Sequence, residues 1–157
     1  MISSKLIAPF LGFLLAFSPA FNPKTPSTSK ATWLTDYEQA LAKSKTSGKK
    51  VLISFAGSDW CKPCIKLTKE VFESETFQNF ADENLVMLLA DFPRLKKNRL
   101  SKEQVKHNEQ LAKKYNNEGV FPLVVLVDSQ GMTLDKIGYK DGNPQRFLNR
   151  IKSVLND

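Results

Sequence analysis

Two short, almost entirely apolar segments bracket one amphipathic stretch in the middle of the chain. They are KVLISF (Lys50 to Phe55) and LVMLLADF (Leu85 to Phe92), and each has the length of a strand buried on both faces. Between them Ile65, Thr68 and Phe72 recur at helical spacing. Strand, helix and strand in this order predict a βαβ unit in a parallel sheet that helices cover.

Capping patterns mark where further helices begin. An opening helix is predicted to end at Ser47-Gly48, a second short helical stretch follows the βαβ helix, and another helix runs through about Asn116. The predicted N-caps are Thr35 (with Glu38 completing a capping box), Ser74, and Ser101 (with Gln104).

The last third of the chain predicts a hairpin followed by a closing helix. FPLVVLVD (Phe121 to Asp128) and MTLDKIG (Met132 to Gly138) are strands joined by the turn SQG. Asn143 as N-cap and Pro144 at the first helical position begin the closing helix. The sequence therefore predicts an α/β fold with a central mixed sheet, βαβ then ββα, flanked by helices and preceded by an extra N-terminal helix.

Both cysteines of the chain, Cys61 and Cys64, stand in SDWCKPC, directly after the first apolar strand. A bridge that closes so short a loop restricts the unfolded chain little, so it is a poor structural staple. Residues three apart in a first helical turn can form a disulfide and also separate as dithiols. The helix N-terminus favours the Cys61 thiolate, and Lys62 adds to this effect. We expect Cys61 to attack a substrate sulfur and the less exposed Cys64 to resolve the mixed disulfide.

Two neighbours of the cysteines suit this chemistry. Pro63 occupies a first-turn position, where no N–H donor is needed, and stiffens the loop. Trp60 is either an ordinary core residue or, in our interpretation, part of a rim that substrate contacts.

Metal binding is the first alternative. The two cysteines and His107, the only histidine, give three ligands, too few for a closed zinc site. Copper(I) delivery through these three residues remains an alternative, because thiolates are soft ligands. Otherwise we expect His107 to be a solvated surface residue and the chain to hold no metal.

The segment WCKPC between a strand and a helix, together with an X-Pro ahead of the apolar strand in VFPLVVLVD, resembles thioredoxin-like thiol-disulfide oxidoreductases. The resemblance covers about Trp33 to Leu155. The stretch GSDWCKPCIKLTKEVFESETFQNF is similar to exported bacterial thioredoxin-like proteins and to the C-terminal domain of the transmembrane reductases that carry electrons to the periplasm. The resemblance implies the thioredoxin fold and catalysis by Cys61 and Cys64 without a cofactor. It also implies protein disulfides as substrates and a membrane thiol reductant as electron donor.

The resemblance also implies further site residues. It implies a cis peptide bond between Phe121 and Pro122, with the backbone beside this proline binding the substrate chain, and it implies that Gly138 lets a partner approach the same surface. From the residues alone, Pro122 also fits the start of an edge strand.

The chain departs from the family pattern in two places. Ser54 stands where typical thioredoxins have a buried aspartate, which leaves Asp59 or a water to deprotonate Cys64. The dipeptide between the cysteines is Lys-Pro and lacks the histidine of strongly oxidising members, which indicates a more reducing potential. We therefore predict a reductase.

The N-terminus predicts export. A lysine, an apolar run from Leu6 to Phe17, and Ser18 and Ala20 before a cleavage site are typical of a signal peptide over residues 1–20. Residues 21–32 are predicted to be a flexible linker and 33–157 the thioredoxin-like domain. An uncleaved membrane anchor is the alternative. Export would place the cysteines in an oxidising compartment, and we predict a bacterial periplasm.

The formal charge of +7 comes mainly from scattered lysines. The sequence shows no nucleic-acid-binding module, so we expect no nucleic acid partner. RLKKNR (Arg94 to Arg99) is predicted to be an exposed loop within an extended basic segment, 93–106, that is a candidate for choosing partners. We expect a monomer, and a redox-inactive binding module is the remaining alternative.

Overall fold

A computed structural model describes residues 31–139 and 142–156 of the 157-residue chain. The predicted signal peptide, 1–20, and most of the predicted linker, 21–32, lie outside the described residues. Among the residues that are described, no helix is both long and apolar enough to cross a bilayer.

The described chain contains five strands and five α-helices. The strands are β1 (Trp33–Leu34), β2 (Lys50–Ala56), β3 (Leu85–Asp91), β4 (Leu123–Val127) and β5 (Thr133–Gly138). The helices are α1 (Tyr37–Ser47), α2 (Lys62–Leu67), α3 (Glu75–Asn84), α4 (Lys102–Tyr115) and α5 (Pro144–Asn156). A π-helical turn, Thr68–Phe72, follows α2, and a 3-10 turn covers Lys96–Asn98.

The strands form one mixed sheet in the order β1-β3-β2-β4-β5. The central strand β2 pairs parallel with β3 and antiparallel with β4, while β1 and β5 occupy the two edges. This arrangement confirms the predicted fold class, including the extra N-terminal helix α1. The two-residue strand β1 was not predicted, because so short a segment carries no periodicity.

Side chains alternate between the two faces of β2, and helices cover both faces. Leu52 packs in the core beneath α2, α3 and α5, whereas Val51, Ile53 and Phe55 pack in the core beneath α1 and α4. Burying a side chain of this size contributes about 1.5–3 kcal/mol relative to exposure. Two covered faces explain why β2 lacks the polar alternation of a half-exposed strand.

The start of α1 differs from the prediction by one residue. Asp36, not Thr35, is the N-cap, and its Oδ1 accepts the N–H of Gln39 at 2.7 Å. A carboxylate interacts more favourably than a hydroxyl with the positive end of a helix, which accounts for the difference. The predicted end is confirmed, because Gly48 closes the helix at a φ of 74°, a left-handed conformation that glycine adopts without strain.

The other predicted caps are confirmed, but one capping box is incomplete. Ser74, Ser101 and Asn143 each accept a backbone N–H with their side-chain oxygen. The side chain of Gln104 does not accept the backbone N–H of Ser101, which a complete capping box requires. Its Nε2 instead donates to the carbonyl oxygen of Thr35 at 3.0 Å and so ties α4 to the start of α1.

Candidate active site

The cysteine pair lies in the turn between the end of β2 and the start of α2. The carbonyl oxygen of Gly57 accepts the N–H groups of Trp60, at 3.3 Å, and of Cys61, at 2.9 Å, which closes the turn. Cys61 is the N-cap of α2, and its Sγ accepts the N–H of Cys64 at 3.3 Å. The first helical turn therefore directs an N–H donor at the Cys61 sulfur.

Cys61 and Cys64 form a disulfide, with their Cα atoms 5.2 Å apart. The two residues are 4% and 3% exposed, so both cysteines are buried almost equally in this oxidised form. The cause is packing: the bonded pair forms a small apolar cluster with Ala56, against which Trp60 and Phe121 pack. A partner that approaches the sulfurs from this side therefore contacts these rings.

Three aromatic rings form a wall beside the disulfide. Trp60 and Phe92 each contact Phe121 edge to face, with ring centroids 5.5 Å apart in both pairs. The Trp60 indole N–H also donates to the carbonyl oxygen of Phe92 at 2.7 Å, which fixes the ring in a half-buried position. Phe92 was not predicted as a site residue. The sequence feature that could have identified it is the predicted parallel pairing of β2 with β3. Phe92 directly follows β3, and the Cys turn directly follows β2, so the two lie at the same end of the sheet.

The chain enters β4 next to this wall. The peptide bond between Phe121 and Pro122 is cis, and the buried Pro122 precedes the first residue of β4. That residue, Leu123, pairs with Phe55 of β2 on one side and with the exposed Gly138 of β5 on the other. The structure thus brings the proline and Gly138 to the sheet end from which the Cys turn leaves. The strand itself is shorter than predicted.

Lys62 and Pro63 are the first two residues of α2, and both are exposed. Within the part of the chain that the structure describes, the Lys62 ammonium forms no ion pair. Its charge therefore adds to the positive helix terminus at which the disulfide lies.

Asp59 anchors the basic loop to the active-site turn. Its Oδ1 accepts the N–H of Arg94 at 2.9 Å, and its Oδ2 accepts the N–H of Leu95 at 3.0 Å and the side-chain amide of Asn98 at 2.9 Å. These hydrogen bonds, that from Arg94 first, hold the pKa of Asp59 below its ordinary value of 3.8. Both carboxylate oxygens of Asp59 therefore bind the loop.

Replacing Asp59→Asn is expected to loosen this loop. The amide keeps one acceptor oxygen but loses the charge, so hydrogen exchange at Arg94 and Leu95 should speed up about ten-fold at neutral pH. A carboxyl group whose pKa is lowered by folding stabilises the folded state at any pH above its unfolded-state pKa. That stabilisation is lost as the pH falls through its folded-state pKa. The wild-type loop should therefore loosen in acid, whereas the variant's should not. Equal exchange in the two proteins at pH 7 would show that the carboxylate does not hold the loop.

Ser54, which the resemblance to thioredoxins aligns with a buried aspartate, lines a cavity of about 480 Å³ that also touches Cys64. Thr68 and Glu73 contribute polar side chains to its lining, and Leu89 an apolar one. A cavity of this size, with polar groups on its walls, has room for water. The arrangement can therefore give water access to Cys64 where the usual aspartate is missing.

His107 is not the solvated surface residue that we expected. It is half-buried, and its Nε2 accepts the N–H of Tyr37, the first residue of α1, at 3.2 Å. The prediction was wrong because only the folded chain places α4 against an unpaired helical N–H. Across 31–139 and 142–156, no three His, Cys, Asp or Glu side chains are grouped as a metal site, so the structure does not join His107 to the cysteines.

Comparisons with known proteins agree with this geometry. The thioredoxin-like family profile matches residues 32–129. Disulfide bond reductase DsbH of Chlamydia pneumoniae is 36% identical over 119 residues, which cover 76% of this chain and 70% of that protein. The thioredoxin-related protein DsbJ of the same organism is 30% identical over 106 residues, 68% of this chain and 30% of that protein.

A solved structure described as a DsbH oxidoreductase superposes with a TM-score of 0.74 at 31% identity, covering 88% of this chain and 94% of the other. The segment that matches the family profile, residues 32–129, contains β2, the Cys turn and α2. The fold, the disulfide and the relatives thus all indicate thiol-disulfide exchange. The chain belongs to the thioredoxin-like family and is a protein thiol-disulfide oxidoreductase with Cys61 and Cys64 as its redox-active pair.

Proposed function

We propose that this protein is an exported disulfide reductase that acts on protein disulfides. The observation that carries the proposal is the N–H of Cys64 directed at the Cys61 sulfur at the start of α2, beside the unpaired cation of Lys62. Both features favour a Cys61 thiolate over a thiol. These two features support disulfide exchange but not its direction. The reductase direction is supported by the Lys-Pro dipeptide, which lacks the histidine of strongly oxidising members, and by the name of the C. pneumoniae relative, a disulfide bond reductase.

In the proposed reaction the reduced protein carries a Cys61 thiolate and a Cys64 thiol. The thiolate attacks one sulfur of a substrate disulfide, that S–S bond breaks, and the leaving substrate thiolate takes a proton. Cys64 then loses its proton and attacks the Cys61 sulfur, which releases the second substrate thiolate. The substrate gains two electrons, and the protein is left with the Cys61–Cys64 disulfide seen in the structure.

We assign deprotonation of Cys64 to water in the cavity beside Ser54. The Ser54 side chain and Cys64 line the same cavity, whereas the carboxylate of Asp59 is bound to the loop. Water can carry the proton from the buried sulfur towards the exposed Glu73 at the cavity wall.

The substrate chain is proposed to bind along the aromatic wall. Trp60 and Phe121 supply apolar contacts beside the disulfide, the backbone next to Pro122 supplies hydrogen bonds, and Gly138 leaves space at the neighbouring strand. Lys62 and Pro63, exposed at the first turn of α2, would meet the same partner.

The proposal includes location and electron supply. Residues 1–20 would direct export or remain as an anchor, 21–32 would link, and 33–157 would function in the periplasm. A dithiol of a membrane thiol reductant would return two electrons to the disulfide, and the protein would act as a monomer.

Redox equilibration with glutathione tests the direction. We expect a reduction potential more negative than about −200 mV, below the range of dedicated oxidants, together with catalysed reduction of insulin by dithiothreitol. A potential well above that value would contradict the reductase direction, and absence of insulin reduction would contradict the enzyme proposal as a whole.

A further inference from the structure

The loop after β3 concentrates positive charge next to the active site. Four of the six residues from Arg94 to Arg99 are cationic and exposed, and we call these four side chains the basic rim. The rim consists of Arg94, Lys96, Lys97 and Arg99.

No acidic side chain of the described chain forms an ion pair with the basic rim. Ion pairs join Lys66 to Glu70 and Arg150 to Asp135, and no rim residue forms one. The nearest bound carboxylate, that of Asp59, accepts hydrogen bonds from backbone and amide groups of the loop and from no rim cation. The four charges thus remain available to an external anion.

The basic rim is attached to the aromatic wall. The Arg94 guanidinium carbon lies 3.8 Å from the centroid of a Trp60 ring, and that ring contacts Phe121 and packs against the disulfide cluster. A guanidinium held over a ring face by this cation–π contact still has N–H donors with which to bind a carboxylate. A substrate that reaches the sulfurs past Trp60 therefore passes the Arg94 cation.

The loop also offers an apolar contact at the same place. Leu95 is 48% exposed between Arg94 and the two lysines of the 3-10 turn. A surface that alternates cations with an exposed leucine suits a polypeptide segment carrying both acidic and apolar side chains. Small inorganic anions would gain nothing from the leucine.

We propose that the basic rim binds an acidic segment of the substrate protein, adjacent to the disulfide that the enzyme reduces. This inference rests on the proposed disulfide exchange and adds the class of substrate to it. Complementary charge would raise the rate of encounter and favour acidic over basic partners, most strongly at low ionic strength.

The test uses three disulfide peptides with the same residues around the cystine and with acidic, neutral or basic flanks. Reduced wild-type protein should reduce the acidic peptide about ten-fold faster than the basic one at low salt, and 0.5 M NaCl should remove most of the difference. The double variant Lys96→Glu/Lys97→Glu lowers the formal charge of the basic rim from +4 to zero, so the preference for the acidic peptide should be lost. These two side chains make no contact that holds the loop to Asp59.

A matched control carries the same charge change on α1, as Lys43→Glu/Lys45→Glu. Both lysines are exposed, and no residue of α1 belongs to the disulfide cluster, so the wild-type preference should persist. Equal wild-type rates on the three peptides would overturn this inference and leave the reductase proposal intact. Binding of the basic rim to anionic phosphatidylserine vesicles, together with equal reduction rates for the three peptides, would also overturn this inference. Failure to reduce any peptide would overturn both.

Discussion

Cys61→Ala is expected to abolish disulfide exchange, lowering the rate of insulin reduction by about a thousand-fold or more. The reason is that the Cys64 N–H is directed at the Cys61 sulfur, so this variant loses the sulfur whose negative charge that donor stabilises. The measurement is turbidity of reduced insulin with dithiothreitol as donor. A variant that retains more than a tenth of the wild-type rate would contradict the assignment of Cys61 as nucleophile.

Cys64→Ala is the matched control, because both variants lose the same disulfide. The bridge closes a very short loop, so we expect both proteins to unfold near the wild-type denaturant midpoint. Cys64→Ala should still attack a substrate but should fail to release it. Mass spectrometry should therefore detect a stable mixed disulfide with this variant and none with Cys61→Ala. The same adducts on both variants would rule out the proposed order of steps.

The second large effect is expected at Gly57. A Cβ added there would overlap the Trp60 indole, lying 2.6 Å from its Cζ2. Gly57→Ala must therefore displace the ring that bonds to the Phe92 carbonyl and contacts Phe121. We expect a loss of about 1–3 kcal/mol of unfolding free energy and a fall of about ten- to a hundred-fold in exchange rate. Urea denaturation and the insulin assay measure the two effects.

A double-mutant cycle separates this clash from other effects of the alanine. In a Trp60→Ala background the indole is gone, and with it the three atoms nearest to the added Cβ. Gly57→Ala should then cost less than about 0.5 kcal/mol. If it costs as much in the Trp60→Ala protein as in the wild type, the overlap with the indole is not the cause.

The fold could be predicted largely from local patterns. The strands β2 and β3 were visible as apolar runs because both faces of the sheet are covered, so burial appears as an unbroken run. The helices were visible through their caps, since Ser74, Ser101 and Asn143 bind backbone N–H groups within their own turn. The N-cap of α1 is Asp36 and not the predicted Thr35. The sequence did not separate these two adjacent residues, because both residue types can cap a helix.

The site could be predicted only in part. Cys61 and Cys64 are three residues apart, so their disulfide depends on one helical turn, which the sequence specifies. Phe92 reaches the Trp60 indole from 32 residues away, and Asp59 holds a loop that begins 35 residues later. Such contacts depend on how the strand ends align, and no local pattern encodes that alignment.

The amino-acid sequence alone determined the strand and helix periods and the position of the sulfur pair at a helix start, because each of these depends on neighbours within a turn or a strand. It also determined the excess of positive charge, which is a sum over residue types. The tertiary structure alone decided that both sulfurs are buried, that the Asp59 carboxylate fastens the cationic loop beside Trp60, and that His107 supports α1. These outcomes required distant segments to pack together, since burial and hydrogen-bond partners are properties of the assembled sheet and its covering helices.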